Sequence, residues 1–144
     1  MVMRLHKKLV RCHQLTMHKI HIPVLLKEAI DSLDIQKEGF YIDGTLGDGG
    51  HSFEILKQLS EKGLLISIDQ DQHAIDFVKE YYKDSLCENW IIVRSNFSKI
   101  QSVVKEFAQE RKPDGILLDI GLSSRQLELS HNRGFSYQEL DEPL

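Results

Sequence analysis

The stretch Asp43-Gly44-Thr45-Leu46-Gly47-Asp48-Gly49-Gly50-His51 decides the fold. It follows a short β-rich run, Phe40-Tyr41-Ile42-Asp43. After it, Ser52 to Lys62 sets Phe53, Ile55, Leu56 and Leu59 on one helical face and stops before Gly63. Glycines between a strand and a helix let backbone approach a ligand and supply positive φ where the turn requires it. Gly-x-Gly alone also occurs in ordinary surface turns, so its place between the two elements carries the weight.

Outward from the loop the same unit recurs. Leu64-Leu65-Ile66-Ser67-Ile68-Asp69 is apolar nearly throughout, as a buried parallel strand should be. His73 to Tyr82 reads as a helix, Trp90-Ile91-Ile92-Val93 as a strand, Ile100 to Arg111 as a helix and Gly115 to Asp119 as a fourth strand. Upstream, Pro23 to Leu33 reads as a helix with proline in its first turn, broken by Gly39. Strand and helix alternating at this spacing predict an α/β fold, a Rossmann-like parallel sheet with right-handed crossovers and flanking helices. The regularity fades after Asp119.

With 144 residues, one domain is the natural expectation. A chain of this size buries enough surface to need no disulfide staples. Its two cysteines, Cys12 and Cys87, read as free thiols in a reducing compartment. No apolar run approaches the roughly 20 residues of a membrane-spanning helix. The formal charge is −4. Arg4, Lys7, Lys8 and Arg11 sit in residues 1–16 without any acid, so the rest of the chain is the more acidic part. Such a body does not advertise a phosphate-neutralising face. Residues 1–17 are expected to form a basic flexible leader, a presequence or a segment ahead of a working start at Met17.

Three expected strands end in acids, Asp43, Asp69 and Asp119. Ligands of open α/β sheets bind at the carboxyl ends of the strands, so all three carboxylates are expected to face one crevice. A single strand-end aspartate is more often a helix cap; three beside a glycine loop point to a site. Asp69 falls about twenty residues beyond the loop, where an acid accepts hydrogen bonds from ribose hydroxyls. That placement suits a nicotinamide dinucleotide or S-adenosylmethionine. The loop separates them. Gly47-Asp48-Gly49 is followed by Gly50, His51 and Ser52, so the third glycine of the pyrophosphate fingerprint is missing. Asp48 would repel a pyrophosphate, whereas a sulfonium cation gains from nearby carboxylates. His51 opens the helix as a cap, a packing residue or a cofactor contact. The seven histidines include no metal-ligand spacing.

Five segments then resemble one family in order. They are His21-Ile22-Pro23-Val24-Leu25-Leu26-Lys27-Glu28, Asp43 through Ser52, Asp69-Gln70-Asp71, Asp114 through Leu127, and Arg133-Gly134-Phe135-Ser136. The chain is similar over residues 18–144 to the N-terminal part of the ribosomal RNA small subunit methyltransferase H family. The resemblance implies methyl transfer from S-adenosylmethionine to N4 of a decoding-centre cytidine in 16S ribosomal RNA, on the small ribosomal subunit. It implies a cytoplasmic setting, with the mitochondrial matrix as the alternative. It also implies cofactor contacts at Gly49, Gly50, His51, Asp69, Phe97, Asp119 and Gln126. Phe97 follows the third strand and could lie against adenine or pack in the core. Asp119 is the candidate catalytic residue, accepting a hydrogen bond from the weakly nucleophilic cytosine amine and then its proton.

The chain departs from the family pattern at Tyr137 and at Glu142, which replaces a glycine, and the spacer between them is longer. The family's Asp-Met-Arg-Met-Asp segment, insertion domain and later strands are not in this sequence. A cofactor-binding piece without turnover is therefore a competing expectation, and a nicotinamide-dependent oxidoreductase a weaker one. The 144-residue chain alone is expected to transfer no labelled methyl group to small-subunit RNA, assayed beside a full-length relative. Robust turnover by a monodisperse chain would overturn this.

Overall fold

The computed structural model describes residues 25–109 and 111–121. The basic leader at 1–17, Cys12, Gln126 and the Arg133-Gly134-Phe135-Ser136 motif lie outside them. The described elements are α1 (Leu26–Ser32), β1 (Phe40–Asp43), α2 (Gly50–Gln58), β2 (Leu64–Asp69), α3 (Gln72–Tyr81), β3 (Trp90–Arg94), α4 (Ile100–Phe107) and β4 (Gly115–Leu117). Short 3-10 turns at Lys83–Ser85 and Phe97–Lys99 lead into β3 and α4 from either side of that strand.

The four strands form one parallel sheet in the order β3-β2-β1-β4. Phe40, Ile42, Ile66 and Ile68 pack with Val103 and Ala108 at the α4 side. Tyr41 and Leu65 point the other way, into a second cluster with Ile30, Leu46, Ile55, Ile75, Val78, Tyr82 and Trp90. Alternate side chains thus feed cores on both faces, which is why β1 and β2 read as continuous apolar runs. The fold is the α/β class expected from the sequence.

Element ends differ from expectation for local reasons. Helix α2 starts two residues early because Gly49, at φ 82, serves as a left-handed cap. It stops at Gln58, where Leu59 turns extended and Ser60 N–H bonds the Lys37 carbonyl. Helix α4 ends at Phe107, short of Arg111, because Gln109 turns left-handed at φ 48. Strand β4 ends at Leu117, short of Asp119, whose N–H goes to a side chain instead of a carbonyl.

Among the described residues no helix is long and apolar enough to cross a membrane, and β4 lies at the end of the sheet. Ile116 there is 46% exposed and Leu118, just beyond, 45% exposed. An apolar sheet edge is a template for association. Ile116→Lys is expected to reduce self-association in sedimentation velocity while moving Tm by no more than about 2 °C. Unchanged association would clear this edge of responsibility.

Candidate functional site

The glycine loop is held at three points as it leaves β1. Thr45 N–H donates to Asp43 Oδ1 (3.0 Å), Leu46 N–H to the Ile68 carbonyl (2.9 Å), and Gly47 N–H to Asp69 Oδ2 (2.9 Å). Leu46 is buried and anchors the loop in the core. Gly47, at φ 52, and Gly49 make the turn into α2. At Gly49 a Cβ would also lie 2.9 Å from Tyr82 Cε2 and 3.0 Å from Val78 Cγ2. That glycine is therefore required by packing against α3 as well as by its φ.

The three strand-end acids do different work. The expectation that all three carboxylates face a crevice is corrected at Asp43, which has no exposed surface. Ser52 Oγ donates to Asp43 Oδ2 (2.6 Å) and Thr45 N–H to Oδ1, drawing the carboxylate inward. Ser52 in turn meets Ser67 Oγ (2.7 Å), which accepts from Trp90 Nε1 (2.9 Å). Trp90 Nε1 can only donate. With Asp43 ionised, the run is therefore directed from Trp90 through Ser67 and Ser52 to the carboxylate. Asp69, half-buried, takes Gly47 N–H on one oxygen and Asp71 N–H on the other (2.8 Å). Asp71 caps α3 by accepting from His73 N–H. Asp119 stands outside β4 with its side chain 62% exposed, and its N–H donates to Thr45 Oγ1 (2.7 Å).

Several sequence candidates meet at this end of the sheet. Gly50 and His51 form the first turn of α2, with His51 buried and its Nδ1 4.0 Å from Asp119 Oδ2. Phe97 opens the turn after β3 and is 38% exposed, so it is not a closed core residue. Gln126 lies outside the described residues. Sequence reasoning missed Thr45, Ser52 and Ser67. The available signal was Ser67, a lone hydroxyl inside the apolar run of β2, with Ser52 at the head of the helix that covers it.

The sequence profile of the MraW methylase family matches residues 18–144. The ribosomal RNA small subunit methyltransferase H of Clostridium botulinum is 55% identical over 124 residues, covering 86% of this chain and 38% of that protein. The protein of the same name from Mycoplasma mycoides is 48% identical, covering 86% and 39%. This chain thus spans well under half the length of these relatives. Among solved structures, a SAM-dependent O-methyltransferase from Thermotoga maritima superposes with a TM-score of 0.53 at 17% identity, covering 66% of this chain and 34% of that one. A dimethyladenosine transferase from Plasmodium falciparum superposes with a TM-score of 0.52 at 21% identity, covering 67% and 31%. The fold is the Rossmann-like fold of S-adenosylmethionine-dependent methyltransferases.

Asp43 carries its carboxylate without any exposed surface. Burial holds its carboxyl above the usual range, and the Asp69 charge adds to this; the Ser52 and Thr45 hydrogen bonds and His51 oppose it. A raised carboxyl binds its proton more tightly folded than unfolded. Its contribution to stability is complete below the unfolded pKa of about 3.9 and is lost as pH rises through the higher folded value. Asp43→Asn does not titrate, so its Tm should gain on wild type across that window and then hold a constant difference. Parallel curves would show that Asp43 is not the titrating group. Asp43→Ala, which leaves Ser52 and Thr45 without their acceptor, is expected to cost about 2–4 kcal/mol in denaturant unfolding.

Proposed function

The chain belongs to the MraW methylase family, and from that premise we propose that it forms the cofactor-holding part of an enzyme acting on 16S ribosomal RNA. The proposed reaction transfers a methyl group from S-adenosylmethionine to the exocyclic N4 of a decoding-centre cytidine. The small ribosomal subunit is the source of that RNA, which supports a cytoplasmic setting.

One observation carries the choice of cofactor. A dinucleotide would put its pyrophosphate at the N-terminus of α2. There, Asp119 Oδ2 stands 4.0 Å from Nδ1 of His51 in the first turn. A carboxylate at that point repels a phosphate and favours a sulfonium cation.

The residues present fit S-adenosylmethionine, which when bound supplies an electrophilic methyl group. An ionised carboxylate has about four acceptor directions, and two of those on Asp69 are taken by Gly47 and Asp71 N–H groups. The remaining two suit a pair of ribose hydroxyls. Phe97, part-exposed beyond β3, offers a ring to adenine. Gly49, Gly50 and His51, at the turn into α2, and Gln126 complete the proposed contact set. Asp119 would accept a hydrogen bond from the cytosine amine, raising electron density on nitrogen; as nitrogen bonds the methyl carbon, the carbon–sulfur bond breaks, a neutral thioether leaves, and the surplus amine proton passes to the Asp119 carboxylate. The enzyme's main work is to hold nitrogen and methyl carbon aligned at about 3–3.5 Å.

Calorimetric titration of the 144-residue chain tests this reading. Measurable S-adenosylmethionine binding is expected, with none for a nicotinamide dinucleotide. Asp69→Ala should weaken binding by about 1.5–3 kcal/mol, the range for hydrogen bonds to a charged group. Circular dichroism would establish that the variant is folded. Equal affinities in wild type and variant would remove Asp69 from the site, and dinucleotide binding alone would overturn the cofactor.

A further inference from the structure

We propose that Thr45 is a positioning residue whose hydroxyl sets where the Asp119 carboxylate stands. The inference rests on the proposed role of Asp119, but the contact itself is independent of any ligand. Strands β1 and β4 are paired through Asp43 and Leu117, and Gly44 N–H continues the ladder by donating to the Leu117 carbonyl (2.9 Å). In a regular parallel ladder the next rung would bring Asp119 N–H to a backbone carbonyl of β1. The chain instead curls away, because Thr45 N–H is committed to Asp43 Oδ1 and Leu46 N–H to the Ile68 carbonyl on the opposite neighbour. Thr45 Oγ1 takes the vacated place and accepts Asp119 N–H at 2.7 Å.

The support on the two sides of this bond is unequal. Thr45 is fixed from below by Asp43, which is fully buried and held by Ser52 and, through it, Ser67 and Trp90. Around Asp119 the packing thins out. Leu118 is 45% exposed, Ile120 is 70% exposed, and a Cβ on Gly121 would meet nothing within 4 Å. Leu118 does rest its Cδ2 over Gly44, but that contact is apolar and undirected, and among the described residues the directed tie on the Asp119 backbone is the Thr45 hydroxyl. The Asp119 carboxylate owes its 4.0 Å approach to His51 to that bond.

The test compares Thr45→Val, which keeps the shape and removes the acceptor, with Thr45→Ser, which keeps the acceptor. Amide hydrogen exchange at Asp119 is read by NMR in the unliganded chain, and S-adenosylmethionine affinity by calorimetry. Thr45→Val is expected to speed exchange at Asp119 and raise Kd by about 2- to 10-fold, the effect of one neutral hydrogen bond. Thr45→Ser should restore both. Unchanged protection of the Asp119 amide in Thr45→Val would overturn the proposal, as would Thr45→Ser behaving like Thr45→Val. A wild-type chain that binds no S-adenosylmethionine would defeat the functional reading instead, and the exchange arm would still decide the role of Thr45.

Discussion

A carboxylate with no exposed surface sits at the carboxyl end of β1, and the loop, the helix that follows it and strands β2 and β3 are tied to it. Burying a charge is tolerated only when it is well hydrogen-bonded. Asp43 meets that demand by recruiting Ser52 from α2 and the Thr45 N–H from the loop. Ser52 must then be matched by Ser67 on β2, and Ser67 by the Trp90 indole on β3. Each partner belongs to a different element, so satisfying one buried group fixes the relative placement of β1, β2, β3, α2 and the glycine loop. An apolar residue at position 43 would leave those polar partners unmatched rather than free them. The network is a constraint on geometry more than a source of net stability.

The other two strand-end acids use the same kind of contact at increasing exposure. Asp69 is half-buried, and it spends one acceptor site on each oxygen to hold Gly47 and Asp71 N–H groups, which presents its remaining sites in a fixed direction. Asp119 is mostly exposed and is held through its backbone, which leaves the whole carboxylate uncommitted to the loop. Ranked by exposure, the buried Asp43 serves the architecture, the half-buried Asp69 has acceptor sites to spare, and Asp119 is the open group. The proposed chemical role of Asp119 fits that order, because an exposed carboxylate can change partners without leaving an unsatisfied group in the core.

The α/β class was legible because Ile42, Ile66 and Ile68 lie in short apolar runs bounded by Gly39, Gly44 and Gly63, and such runs alternate with helical periodicity. Asp69 was legible because its distance from the glycine loop has a geometric meaning. The inward turn of Asp43 was not, since an acid ending an apolar strand reads alike whether it faces a crevice or a buried serine. What separates the cases is Ser52, nine residues later, and Ser67 on the neighbouring strand. Their proximity depends on strand register, which pattern alone does not supply. Helix ends were missed where a non-glycine residue, Gln109, adopts a left-handed conformation. The Thr45–Asp119 contact spans 74 positions and replaces a backbone rung with a side chain. No local rule anticipates such a substitution.

The charge of the site also bears on how an RNA base would enter it. Carboxylates at Asp69 and Asp119 favour a sulfonium and disfavour phosphate, so the proposed cofactor site repels the backbone of the proposed substrate. The two demands are compatible only if the base enters alone. A cytosine ring is neutral, and unstacking it into a pocket leaves its phosphates outside. Screening then weakens the repulsion beyond roughly 8 Å at physiological salt. In the proposed reaction the exocyclic amine, as a donor, is drawn toward Asp119, the most exposed of the three strand-end acids. Under the proposed function, local negative charge thereby selects the base edge over the backbone at the point of reaction. Under the same proposal, affinity for the polyanion comes from basic surface at a distance from Asp119, where its positive potential does not compete with the cofactor's sulfur for the same acids.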